Sequence, residues 1–152
     1  MATLYGSNAT RRLVNNPPDK VDAGVQHGRV RVSYDTYTAA GALSNGDVIR
    51  MGYLPKGARV VGYWLKSNDL GTTGTCKVGY EASADAAEAA DDDAFFASVD
   101  LNAAAITLDQ GDQENMPGLG KEFSGECQIS ITLTAATTAA GTISFCCMYT
   151  VD

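Results

Sequence analysis

The chain has 152 residues, enough for one domain with a real hydrophobic core and no need of disulfide staples. Its formal net charge is −7, from 11 Lys and Arg against 18 Asp and Glu, which disfavours direct binding to nucleic acid or to anionic membranes. No apolar run approaches the ~20 residues of a membrane span, and Met1–Asn8 lacks a basic stretch followed by an apolar one, so no secretion signal is visible and synthesis in cytoplasm is expected.

Charge divides the chain. Residues 1–31 carry five Arg and Lys against two Asp, a balance of +3, and the remainder has −10. The first stretch also lacks hydrophobic periodicity, and Asn15-Asn16-Pro17-Pro18 favours extended backbone. Residues 1–26 are therefore expected to form an extended arm, and residues 27–152 the body. Leu4, Tyr5, Leu13 and Val14 are buriable groups in a segment unable to build its own core, so the arm is suited to lie along a neighbouring protein.

The body opens on a predicted strand at Arg29–Tyr37. Val30, Val32 and Tyr34 share one face; Arg29, Arg31, Ser33 and Asp35 share the other. After a turn at Ser44-Asn45-Gly46, a second strand over Asp47–Leu54 aligns Ile49, Met51 and Tyr53. Pro55-Lys56-Gly57 turns the chain into Ala58–Lys66. Strict alternation there puts Val60 with Trp64, and Val61 with Tyr63 and Leu65. A strand apolar on both faces is either central or at a subunit contact. Thr75–Glu81 follows, with Cys76, Val78 and Tyr80 together.

Residues 82–120 break the alternation. They read as an acidic insert, short-helical or irregular: Ala-rich composition predicts a helix near 84–98, and ten acids lie between Glu81 and Glu114 with no Lys or Arg. A short strand is expected at Ala105–Leu108. Alternation returns with Cys127, Ile129, Ile131 and Leu133, then with Ile143, Phe145, Cys147, Tyr149 and Val151. These last two strands are expected to form a hairpin with Thr-rich outer faces. Short strands at turn spacing with no βαβ rhythm predict an all-β fold, an antiparallel β-sandwich or jelly roll.

Catalytic equipment is sparse. His27 is the single histidine, no Gly-x-Ser-x-Gly elbow is present, and the glycines sit at turns rather than in a phosphate loop. No catalytic residue, cofactor or metal site is assigned, and an enzyme is not expected. Asp91-Asp92-Asp93 lacks calcium-loop spacing, and contiguous acids are expected to splay apart. The four cysteines are expected as reduced thiols, with Cys76, Cys127 and Cys147 on apolar faces. Phe95-Phe96 either plugs the end of the sandwich or packs on a sister subunit. Val61, Tyr63, Leu65, Phe95 and Phe96 are the candidates for subunit contacts.

Three stretches, Met1-Ala-Thr-Leu-Tyr-Gly-Ser, His27-Gly-Arg-Val-Arg-Val and Asn45-Gly-Asp-Val-Ile-Arg-Met-Gly-Tyr-Leu-Pro-Lys-Gly-Ala-Arg-Val-Val, together resemble capsid decoration (cement) proteins of tailed bacteriophages. The resemblance implies a virion protein on the outer capsid surface, made in the cytoplasm of a bacterial host. It implies a homotrimer bridging capsomers of an HK97-type shell, with the major capsid protein as partner. Leu4, Tyr5, Arg11, Arg12, Leu13 and Val14 are then the expected capsid contacts. The alternatives are a lectin-like or receptor-binding head-fibre module, with Tyr63 and Trp64 as sugar platforms, and a head–tail structural protein.

Overall fold

A computed structural model describes residues 29–102 and 117–151, and the backbone of 106–109. The expected arm, with its six candidate capsid contacts, lies outside the described residues, as does His27. Among the described residues there are eight strands: β1 (Val30–Ala39), β2 (Val48–Leu54), β3 (Arg59–Ser67), β4 (Thr75–Tyr80), β5 (Asp91–Asp100), β6 (Ile106–Asp109), β7 (Cys127–Ala135) and β8 (Gly141–Thr150). They form two four-stranded antiparallel sheets, ordered β1-β8-β3-β6 and β2-β7-β4-β5. The chain changes sheet at every connection except β4 to β5. That is the jelly-roll order, and the all-β sandwich expectation holds.

The crossings explain one departure from the sequence reading. β7 and β8 do not form a hairpin: each lies in a different sheet, and residues 136–140 carry the chain across. Alternation shows that each strand has one apolar face. It does not show that Ile131 and Leu133 approach the core from one side and Ile143 and Phe145 from the other. The short sixth strand is found one residue along from its expected place and pairs Leu65 with Leu108.

The core is strongest where the two sheets exchange aromatic rings. Tyr63 on β3 lies 5.0 Å from Phe95 and 5.3 Å from Phe96, both on β5, and Phe145 on β8 lies 5.6 Å from Phe95. All four are fully buried. At the far end Tyr80 and Phe123 meet edge to face at 4.8 Å. Offset and T-shaped rings contribute ~0.5–1.5 kcal/mol per pair beyond their buried area.

This cluster overrides local propensity. No helix forms at 84–98: residues 91–100 are strand β5, and 84–88 are turn and bend. Helix propensity is worth only tenths of a kcal/mol per residue, whereas burying Phe95, Phe96 and Val99 against β3 and β4 is worth several. Two adjacent inward rings need a break in alternation. The β4–β5 register supplies it, passing from Val78 opposite Phe96 to Tyr80 opposite Asp91, so residues 92–95 bulge across from Gly79 alone. Gly79 is required there, because a Cβ would lie 2.0 Å from the Asp91 carbonyl oxygen. The preceding turn is tied by Ser83, whose Oγ accepts the Glu88 amide at 2.8 Å, and Ala86 takes a left-handed φ of 56°.

A second bulge corrects the reading of β3. The β3–β8 register shifts between Val60 and Gly62. Val60 therefore joins Tyr63 and Leu65 inside, while Val61 and Trp64 are exposed.

A candidate interaction face on the outer side of one sheet

β1 is an edge strand, and its apolar face points the other way from a core strand's. Val30, Val32 and Tyr34 are 54%, 57% and 64% exposed. The inward side carries Arg31, Ser33 and Asp35, and Ser33 lies so close over β2 that a Cβ on Gly52 would sit 2.2 Å from its Oγ. A polar inner side fits there because it meets the rim of the sandwich, not its centre.

The register assembles the outer side of the sheet into rows. Tyr34 is opposite Cys146, which is opposite Trp64; Val32 is opposite Met148, which is opposite Gly62. Directly opposed side chains share a face and lie about 4.5–5.5 Å apart. Three strands thus present Val30, Val32, Tyr34, Met148, Val61 and Trp64 outwards as one apolar surface, with Cys146 buried between the two aromatic rings. Beside it a groove of about 580 Å³ is lined by Tyr34, Trp64, Lys66, Asn68, Thr142, Ser144 and Cys146. Its hydroxyls satisfy one another: Thr36 Oγ1 donates to the Tyr34 hydroxyl at 3.0 Å and lies 2.9 Å from Ser144 Oγ. These two hydroxyls hold the Tyr34 phenol below its ordinary pKa. Contiguous exposed apolar surface of this kind marks binding sites on monomeric domains.

Of the candidate subunit contacts, Tyr63, Leu65, Phe95 and Phe96 are between 0 and 1% exposed and belong to the subunit's own core. They are corrected on that ground: a side chain closed in by both sheets leaves nothing for a second copy to touch. Val61 alone of the five stands at the surface, beside Trp64. Tyr63 is likewise enclosed and offers no sugar platform.

The acidic residues arrange differently from expectation. The β5 bulge draws Asp91, Asp92 and Asp93 together, with one carboxylate oxygen of each within 4.8 Å of the others. Lys77 answers this charge, its Nζ 3.5 Å from Asp92 and 3.9 Å from Asp93. Burial and the hydrogen bond shared with Asp93 raise the Asp91 pKa. Lower down, Glu88 pairs with Lys121 at 2.8 Å and accepts the Ser124 amide at 3.0 Å.

All four cysteines are free and buried. Burial pushes Cys76 and Cys147 up to about 12 and Cys127 up to about 11. Thiols held this far above neutrality are packing groups, not nucleophiles.

No protein-family model matches the sequence, and no curated protein does. Solved structures do match. One is a chain of the cyanophage Pam1 capsid asymmetric unit, 24% identical, with a TM-score of 0.64 over 82% of this chain and 86% of that one. Another is a chain of the capsid of Ralstonia phage GP4, 21% identical, with a TM-score of 0.63 over the same 82% and 86%. Most of each chain is covered, and the likeness is one of fold.

Proposed function

We propose that this chain is a non-enzymatic structural protein of a bacteriophage particle, decorating the outer capsid surface and bridging neighbouring capsomers. The observation that carries the proposal is the exposed apolar face of β1, β8 and β3 on a sandwich whose thiols are all buried. The sandwich shared with chains of two phage capsids supports it. In this reading the face and the leading segment, with Leu4, Tyr5, Arg11, Arg12, Leu13 and Val14, divide the work of contact with the major capsid protein and with sister copies. A protein that binds the assembled shell better than free capsid subunits stabilises the shell by mass action. Self-association raises the effective concentration of each weak contact, and the resemblance implies three copies.

Sedimentation with undecorated shells tests this. The full chain pellets with shells, and removal of residues 2–16 or replacement of Trp64 by Ser weakens pelleting. A chain that stays in the supernatant at every shell concentration overturns the proposal. A sugar-binding module is the second reading, favoured by the groove in which Tyr34 and Trp64 flank Asn68, Thr142 and Ser144. Saturable glycan binding by the isolated chain, without shell binding, selects it.

A further inference from the structure

The geometry points to a two-fold pairing of this chain with a second copy of itself through the free edge of β1. Among the described residues no strand pairs with β1 on the side away from β8. The strand is ten residues long, its register with β8 is unbroken from Val30 to Ala39, and it holds no proline or lysine. Natural edge strands are normally blunted by such residues, by bulges, by shortness or by charge; the two charges on β1, Arg31 and Asp35, are of opposite sign, so they repel a strand in most registers and admit one that sets each against its opposite.

The occupant follows from the order of side chains along the strand. A two-fold axis through Ser33, with the strands antiparallel, sets Arg31 against the partner's Asp35, and Asp35 against the partner's Arg31. The same register sets Val32 against the partner's Tyr34, twice over, on the outer face. Val30 then meets the partner's Thr36. The charged pairs are therefore complementary in sign and the central outer pairs are both apolar, while only the outermost pair, Val30 with Thr36, sets an apolar side chain against a hydroxyl; a self-complementary order of this kind is what an isologous contact requires. Arg31 and Asp35 are both exposed in the single chain, so the pairing gives them opposite charges without burying either unpaired. The two sheets join edge to edge, and the exposed apolar rows become one surface across both copies. The pairing requires an even number of copies, in contrast to the three implied by resemblance, and it does not depend on the chain binding a shell.

Equilibrium sedimentation of the full chain, without shells, tests the register. The wild type is expected at the mass of two copies. Arg31→Asp and Asp35→Lys each place like charges opposite one another at two symmetric positions, and each is expected to weaken association about tenfold or more. The double variant Arg31→Asp with Asp35→Lys restores opposite charges and is expected to return to near the wild-type affinity. A wild type that remains a single copy at every concentration overturns the inference. So does a three-copy mass, or a two-copy mass unchanged by either single substitution. So does tighter association after deletion of residues 2–26, which identifies the chain's own leading segment as the cover of this edge. Because shells are absent from the measurement, any of these outcomes leaves capsid decoration to its own test.

Discussion

Replacing Phe95 by Ala tests whether the ring cluster is the centre of the subunit or a contact between subunits. Phe95 is 1% exposed and touches rings from both sheets, with Tyr63 at 5.0 Å, Phe145 at 5.6 Å and Tyr80 at 6.3 Å. A buried Phe removes roughly 150–250 Å² from water, which at ~25 cal/mol per Å² amounts to about 4–6 kcal/mol as an upper value. Measured Phe→Ala truncations in cores fall at ~3–5 kcal/mol, cavity included, so about 4 kcal/mol is expected here. In a domain of this size each kcal/mol moves Tm by about 2–4 °C, giving a drop of about 8–16 °C. With a urea slope near 2 kcal/mol per M, the unfolding midpoint falls by roughly 2 M. Phe95→Leu keeps most of the volume and loses under ~1.5 kcal/mol. Equilibrium urea unfolding by tryptophan fluorescence and circular dichroism reads both variants. A loss below ~1 kcal/mol for the Ala variant, together with a change in assembled mass, refutes the assignment of these rings to the subunit interior.

Gly79→Ala drives a Cβ to within 2.0 Å of the Asp91 carbonyl. Backbone must move, and a loss of ~1–3 kcal/mol or more is expected in the same urea assay. Glu88 has its pKa lowered, first by the Lys121 hydrogen bond and then by the Ser124 amide. Its contribution is therefore complete above the unfolded carboxylate value of about 4.3 and is lost as pH falls through the lower folded value. Glu88→Gln should lower stability at pH 7 and flatten the decline between pH 5 and 3, in urea midpoints taken across that range. Thiol titration with an aromatic disulfide should leave Cys76, Cys127 and Cys147 unlabelled in the native chain and label them after denaturation; fast native labelling of Cys76 or Cys147 contradicts their placement.

Much of the sandwich was legible because side chains alternate with a period of two on a half-buried strand. Cys76 with Val78 and Tyr80, and Ile129 with Ile131 and Leu133, are inward as their spacing requires. The spacing does not say which apolar face is the inner one. Val30, Val32 and Tyr34 alternate as well as any core strand does, and they point outward because β1 lies at the edge, over Gly52. Bulges hide the remainder. One extra residue at Val61 exchanges the partners of Val60 and Trp64, and the longer bulge opposite Gly79 lets neighbouring Phe95 and Phe96 turn the same way. The assignment of β7 and β8 to opposite sheets depends on pairings far apart in sequence, and neither strand carries a local sign of it. The interaction face had one readable signal: outward Cys146 and Met148 on β8 beside a doubly apolar β3.

The position of β8 between β1 and β3 has a consequence for biosynthesis. Val30 finds its partner at Thr150, so the first described strand waits until residues some 120 positions further along have left the ribosome. Until then β1 and β3 have no neighbour between them, and the backbone edges that β8 will pair stay open to water and to other nascent chains. The β2-β7-β4-β5 layer is available earlier, and contacts this distant in sequence make closure slow. Polysomes crowded with such half-finished products are where a chaperone would be most needed. Removing residues 143–152, which hold most of β8, should abolish the sandwich rather than trim it.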